Sequence, residues 1–90
     1  MSLEELRNAF VNIEKERFTI INSYIMGILK KAEIDRFEKV LFEFRDKLYQ
    51  FECDDENLLE IAKMKSMVQH FNTEILEDEE VLKVAYSNQQ

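Results

Sequence analysis

Residues 34 to 51, Ile34-Asp35-Arg36-Phe37-Glu38-Lys39-Val40-Leu41-Phe42-Glu43-Phe44-Arg45-Asp46-Lys47-Leu48-Tyr49-Gln50-Phe51, hold the most regular pattern in the chain. Ile34, Phe37, Leu41, Phe44, Leu48 and Phe51 alternate steps of three and four, which lines them up along one side of an α-helix. On a strand, where side chains alternate with a period of two, the same residues would fall on both faces. The charges agree with the helix, since Asp35 stands four residues before Lys39 and Glu43 four before Lys47, the favourable order on an exposed face. The stretch therefore predicts a helix over about 33–53 whose apolar seam must be buried against other elements.

Immediately upstream, Lys30-Lys31-Ala32-Glu33 is polar and the seam spacing slips, which predicts a tight turn there. Further back, Leu3, Leu6, Phe10 and Ile13 recur at helical steps, and Ser2 with Glu5 forms a capping box in front of them. Residues 18–29 carry no charge and are rich in β-branched side chains, so strand propensity is high. Periodicity decides for a helix. Thr19, Asn22, Ser23, Met26 and Gly27 trace a narrow small or polar stripe, and Phe18, Ile21, Ile25 and Leu29 line another face. Ser23 and Gly27 read as a small pair that admits a second backbone at close range. The uncharged run is too short to span a bilayer, which takes about 20 residues. A first helix is expected over about 2–31.

Downstream, Asp54 and Asp55 offer caps for a helix over about 56–76, with an apolar face of Ile61, Met64, Val68, Phe71 and Ile75. Glu77-Asp78-Glu79-Glu80 breaks that pattern. Asp78 as a cap, with two glutamates at the positive end of the macrodipole, predicts a short helix at about 79–86, followed by the polar tail Ser87-Asn88-Gln89-Gln90. The expected fold is all-α: an antiparallel helical bundle of three long helices plus a short C-terminal one.

Composition supports that class. Ninety residues suffice for one small core and so for a single domain, 1–90. One glycine and no proline leave little material for hairpin turns. The lone cysteine, Cys53, sits in Glu52-Cys53-Asp54-Asp55-Glu56, where carboxylates discourage thiolate formation, so it reads as idle or structural. The start Met1-Ser2-Leu3-Glu4-Glu5 lacks the basic and apolar regions of a secretion signal, and a reducing cytoplasm is expected. The net charge of −7 is uneven: residues 1–50 balance nine acidic against nine basic side chains, and residues 51–90 set ten acidic against three basic. Phosphate backbones are repelled by the second half, so no direct contact with nucleic acid is expected.

No motif calls for catalysis, a metal or a cofactor. There is no glycine-rich phosphate cradle and no nucleophile elbow, and His70 with Glu74 one turn later supplies only two ligands of a metal site. What remains is binding to another macromolecule. The leading expectation is a small acidic regulator or inhibitor of bacterial or phage type, whose Glu77, Asp78, Glu79 and Glu80 meet a basic surface on a partner protein. An alternative is an assembly chaperone or adaptor that offers a hydrophobic groove through Met64, Met67, Phe42 and Tyr49, the last two flanking Arg45 in a composition typical of binding hot spots. A third is a decoy whose carboxylates imitate nucleic-acid phosphates. The apolar helix surface exceeds what one small core covers, so a homodimer through Phe18, Ile21, Ile25 and Leu29 is also expected.

Overall fold

Every regular element in the computed structural model, which describes residues 1–88, is helical. α1 spans Leu3–Ile25 and α2 spans Lys31–Gln50. α3 spans Leu58–Phe71, entered through a 3-10 turn at Asp55–Asn57 and prolonged by a π-helical turn at Asn72–Leu76; α4 spans Glu79–Ser87. No strand occurs among the described residues, and none of their helices is long and apolar enough to cross a membrane.

The seam on α2 organises the core. Ile34, Phe37, Leu41, Phe44 and Leu48 are all buried, and α2 packs against α1, α3 and α4. From α3 and its π-helical extension come Ile61, Met64, Val68, Phe71 and Ile75, and from α4 come Val81 and Ala85. No charged or polar residue is among the buried set. Phe10 of α1 ties the layers together, its ring centroid 6.0 Å from Phe44 and 6.3 Å from Phe71. The result is a rod of 46 × 18 × 18 Å.

α1 corrects the sequence reading in two places. It ends at Ile25 rather than near residue 31, because Gly27 takes a φ of +74°. Ile28 N–H donates to the Ser23 carbonyl at 3.0 Å and Gly27 N–H to that of Tyr24 at 2.9 Å, the paired hydrogen bonds of a Schellman stop. Gly27 is thus a helix terminator, not a member of a small packing stripe. The turn runs through Met26 to Lys30, and α2 starts at Lys31, where the Glu33 carboxylate accepts the Lys30 N–H at 3.0 Å. At its other end α2 stops at Gln50, short of residue 53.

The second correction concerns which face of α1 is inside. Leu6, Ile13 and Ile20 are buried at seven-residue steps, and Phe18 and Ile25 point away, 63% and 73% exposed. Leu29 is fully buried, because the turn folds it back into the core. The Asn88 side chain holds that turn, its Nδ2 donating to the carbonyls of Gly27 at 2.8 Å and Leu29 at 3.0 Å. Part of the expected polar tail is therefore a clamp; Gln89 and Gln90 lie outside the described residues.

A Cβ added at Gly27 meets nothing within 4 Å, so a substitution there strains the backbone alone. Gly27→Ala is expected to destabilise the protein by about 1–2 kcal/mol, the cost of a left-handed L-residue, and Gly27→Asn by less. Urea titration checks this, with the midpoint falling and the slope unchanged.

Candidate functional site

The two acidic runs sit in separate connections. Residues 52–56 belong to the α2–α3 connection and residues 77–80 to the α3–α4 connection; between them, Glu60 pairs with Arg7 near the start of α1 and Glu74 with Arg17 further along it. The acidic half of the sequence is thus not one continuous face. Within the second run the four carboxylates differ in task. Asp78 accepts the N–H groups of Glu80 at 2.9 Å and Val81 at 3.3 Å, and so caps α4. Glu77 accepts from Asn72 Nδ2 at 3.2 Å and closes the π-helical turn. Glu79 and Glu80 are exposed on the first turn of α4, with no ion pair among the described residues.

The four expected groove residues fall on two surfaces and in the core. Met64 is buried in the core and also lines, with Met67, the floor of a shallow cavity. Met67 is exposed at the edge of a shallow cavity of about 280 Å³ between α1 and α3, whose lining includes Phe10, Val11 and the Arg7–Glu60 pair. Phe42 and Tyr49 lie on α2, and each carries a cation on its ring: the Arg45 guanidinium carbon is 4.2 Å from the Phe42 centroid, and Lys65 Nζ is 4.8 Å from that of Tyr49. Phe42 is half-buried and Tyr49 exposed. Of the residues expected at a dimer interface, Phe18 and Ile25 are exposed, Ile21 is half-buried and Leu29 belongs to the core.

Sequence reasoning set the turn between α1 and α2 at residues 30–33, and so missed the exposed apolar residues of the turn at Met26–Lys30. Met26 is 70% exposed and Ile28 55%, and Tyr86 of α4 is exposed on the same end of the rod. Asn88 pins α4 to this turn, so Glu79 and Glu80 lie within one short helix, about 13 Å, of the exposed apolar side chains. The signal was present in the sequence as the single glycine, which marks a helix end with apolar residues on both sides.

α1 and α3 stand apart and are joined largely by side chains. Arg7 forks onto Glu60 at 2.7 and 2.8 Å, and Arg17 onto Glu74 at 2.7 and 2.9 Å. Each is a two-pronged guanidinium–carboxylate pair, the geometry that fixes register best. Arg17 also lies over the Phe71 ring, 5.6 Å from its centroid, and His70 Nε2 is 3.2 Å from Glu74 Oε2. With both Glu74 oxygens bonded to Arg17, the His70–Glu74 pair is a structural contact. Among the described residues no three His, Cys, Asp or Glu side chains converge as metal ligands would. A second cavity of about 280 Å³ lies between α1 and α2, over Ile20 and Phe37. The Glu16 carboxylate on its rim accepts from Arg36 Nη2 at 2.7 Å through one oxygen, and the other is buried without a partner.

Comparison of the chain with protein-family models, with curated proteins and with solved structures gives no match.

Hydrogen bonding from Arg17 is the largest effect on the Glu74 carboxyl, and it holds the pKa below the ordinary carboxylate value. A folded pKa below the unfolded one adds stability above the unfolded pKa, about 4.3, and that contribution disappears as the pH falls through the folded value. Glu74→Gln is therefore expected to lower the urea midpoint at neutral pH and to matter progressively less on acidification. An equal loss at every pH would mean that the pair acts through shape alone.

Proposed function

We propose that this chain is a small acidic interaction protein, a non-enzymatic regulator or inhibitor that binds a partner protein carrying a basic, partly apolar surface. In this reading the helices form an antiparallel bundle of three long helices with the short α4 across one end, and two copies act together. One observation carries the reading: Asn88 brings the exposed Tyr86 to the turn that bears the exposed Met26 and Ile28, and the same short helix carries on its first turn Glu79 and Glu80, which make no ion pair among the described residues. Large apolar side chains give up most to water when bare, and a cluster of them with charge beside it is the usual make-up of a docking site. The carboxylates would steer a basic partner into place, and the apolar group would set how long it stays.

The same geometry separates this reading from a phosphate decoy. A decoy needs carboxylates spaced along its length, whereas here they are gathered in two runs in separate connections, and Asp78 of the second is engaged in capping α4. A groove formed jointly by Met64, Met67, Phe42 and Tyr49 has less support, since Met64 and Met67 line one cavity between α1 and α3 and Phe42 and Tyr49 lie outside it on α2.

Partner capture from the native host, followed by kinetics on the isolated pair, tests the proposal. Glu79→Gln with Glu80→Gln is expected to slow association several-fold at low salt and much less at high salt, because steering is screened over about 10 Å at 0.1 M. Met26→Ala with Ile28→Ala is expected to speed dissociation at any salt. Association unaffected by the paired Gln substitutions at low salt would overturn the acidic-end reading. Asp78 is left intact in these variants, since its loss would unseat α4.

A further inference from the structure

The cavity of about 280 Å³ between α1 and α2 has an apolar floor and charged walls whose bonding is incomplete. Ile20 and Phe37, both buried, form the floor; Lys15, Glu16 and Thr19 of α1 and Glu33 and Arg36 of α2 line the rest. Most of this polar capacity is spent inside the protein. Glu33 accepts the Lys30 N–H at 3.0 Å, Thr19 donates its hydroxyl proton to the Lys15 carbonyl at 3.1 Å, and Arg36 donates to Glu16 Oε1 at 2.7 Å. Two groups of opposite sign are left over. Lys15 enters no ion pair among the described residues. Glu16 Oε2 is buried with no hydrogen-bond partner, alone in this among their side-chain oxygens and nitrogens. A buried acceptor in that condition is costly, and folded proteins keep few of them.

We propose that this cavity binds a free amino acid with a large apolar side chain, as its zwitterion. The ligand ammonium donates to Glu16 Oε2, its carboxylate accepts from Lys15 Nζ, and its side chain covers Ile20 and Phe37. Charge selects this class. The lining carries two cations, Lys15 and Arg36, and two anions, Glu16 and Glu33, so it favours a ligand with no net charge. A plain carboxylate would leave Oε2 unpaired, and a plain amine would leave Lys15 unpaired beside a new cation. Size agrees. A cavity of about 150 Å³ admits benzene, so this one has room for an aromatic or branched side chain together with its two charged groups. Access is available too. The last torsion of a glutamate is soft and the Arg36 side chain is 76% exposed, so a small rotation offers Oε2 to a donor in the cavity while Arg36 follows. The cleft is shallow, which sets the affinity at about 1 mM. The site shares no residue with the docking end described above and needs no protein partner.

Calorimetric titration of the full chain with L-phenylalanine, phenethylamine, 3-phenylpropionate and glycine tests this. Phenylalanine is expected to bind saturably at one site, and the other three at least about ten-fold more weakly, since each lacks one of the three contacts. Lys15→Gln and Glu16→Gln are each expected to weaken phenylalanine by about ten-fold or more, with circular dichroism unchanged. Lys15 is exposed, so its variant keeps the test valid even if Glu16→Gln disturbs the packing of α1 on α2. No saturable binding of phenylalanine at about 20 mM overturns the site. Phenethylamine or 3-phenylpropionate binding as tightly as phenylalanine overturns the zwitterion, and glycine doing so overturns the apolar floor. Full affinity for phenylalanine in the folded Lys15→Gln variant overturns the assigned cavity.

Discussion

The burial of one side of α2 is the constraint on which the other helices depend. Its five buried side chains, two of them phenylalanines, face α1, α3 and α4, and none of those three would retain its place without that surface. Burying a side chain of this size is worth roughly 1.5–3 kcal/mol, so the seam alone outweighs every polar contact in the molecule. Truncation at its centre, at Leu41 or Phe44, would open a cavity shared by several helices.

Around that seam the polar groups set position more than strength. The Arg7–Glu60 and Arg17–Glu74 pairs lie at the surface, where ion pairs are screened and contribute modestly. Their value is geometric. α1 and α3 are held at a separation that leaves a shallow cavity over Phe10 and Val11, and two forked pairs a few turns apart on each helix fix both distance and register. The π-helical turn at Asn72–Leu76 contributes to the same alignment, since it carries Glu74 toward Arg17 and keeps Ile75 in the core. An extra residue in a helical turn rotates everything beyond it, so Asp78 arrives where it can start α4 in a new direction.

The seam residues of α2, the five apolar residues of α3 and the Asp78 cap of α4 were all legible in the sequence, because each rests on local spacing or a local cap. α1 was legible only as far as Ile13. Beyond it, Glu16 and Arg17 stand near the line that the core face follows, and the next apolar residue in the sequence is Phe18. The buried residue is in fact Ile20, one turn past Arg17, whose guanidinium lies against the Phe71 ring while it pairs with Glu74. A charged residue whose stem packs on the core hides the continuity of the face from any reading by polarity. The end of α1 was missed for a related reason. Gly27 is small, but its freedom at positive φ decides its role. The Asn88 clamp joins residues about sixty positions apart, which spacing along the chain does not reveal. The acidic residues at 77–80 were legible as a cluster, but their division between capping and free carboxylates needed the hydrogen bonds.

A chain with one glycine and no proline has few ways to turn, and this limits where function can reside. The connection after α1 holds the only glycine and is closed by the side chains of Glu33 and Asn88, and Asp78 caps the start of α4, whereas neither Asp54 nor Asn57 caps the entry to α3 with its side chain. Helix ends here are therefore polar by necessity, and acidic ones match the macrodipole of the helix they precede. Much of the acidity of the second half follows from helix-start chemistry, whether or not a partner exists. The apolar side chains at the opposite pole of that economy, Phe18, Ile25, Met26 and Ile28, stabilise nothing inside the molecule and face water. Helix capping explains an aspartate at position 78; it offers no reason for a phenylalanine at position 18. For that reason the exposed apolar face of α1 and its turn carries more information about binding than the net charge does.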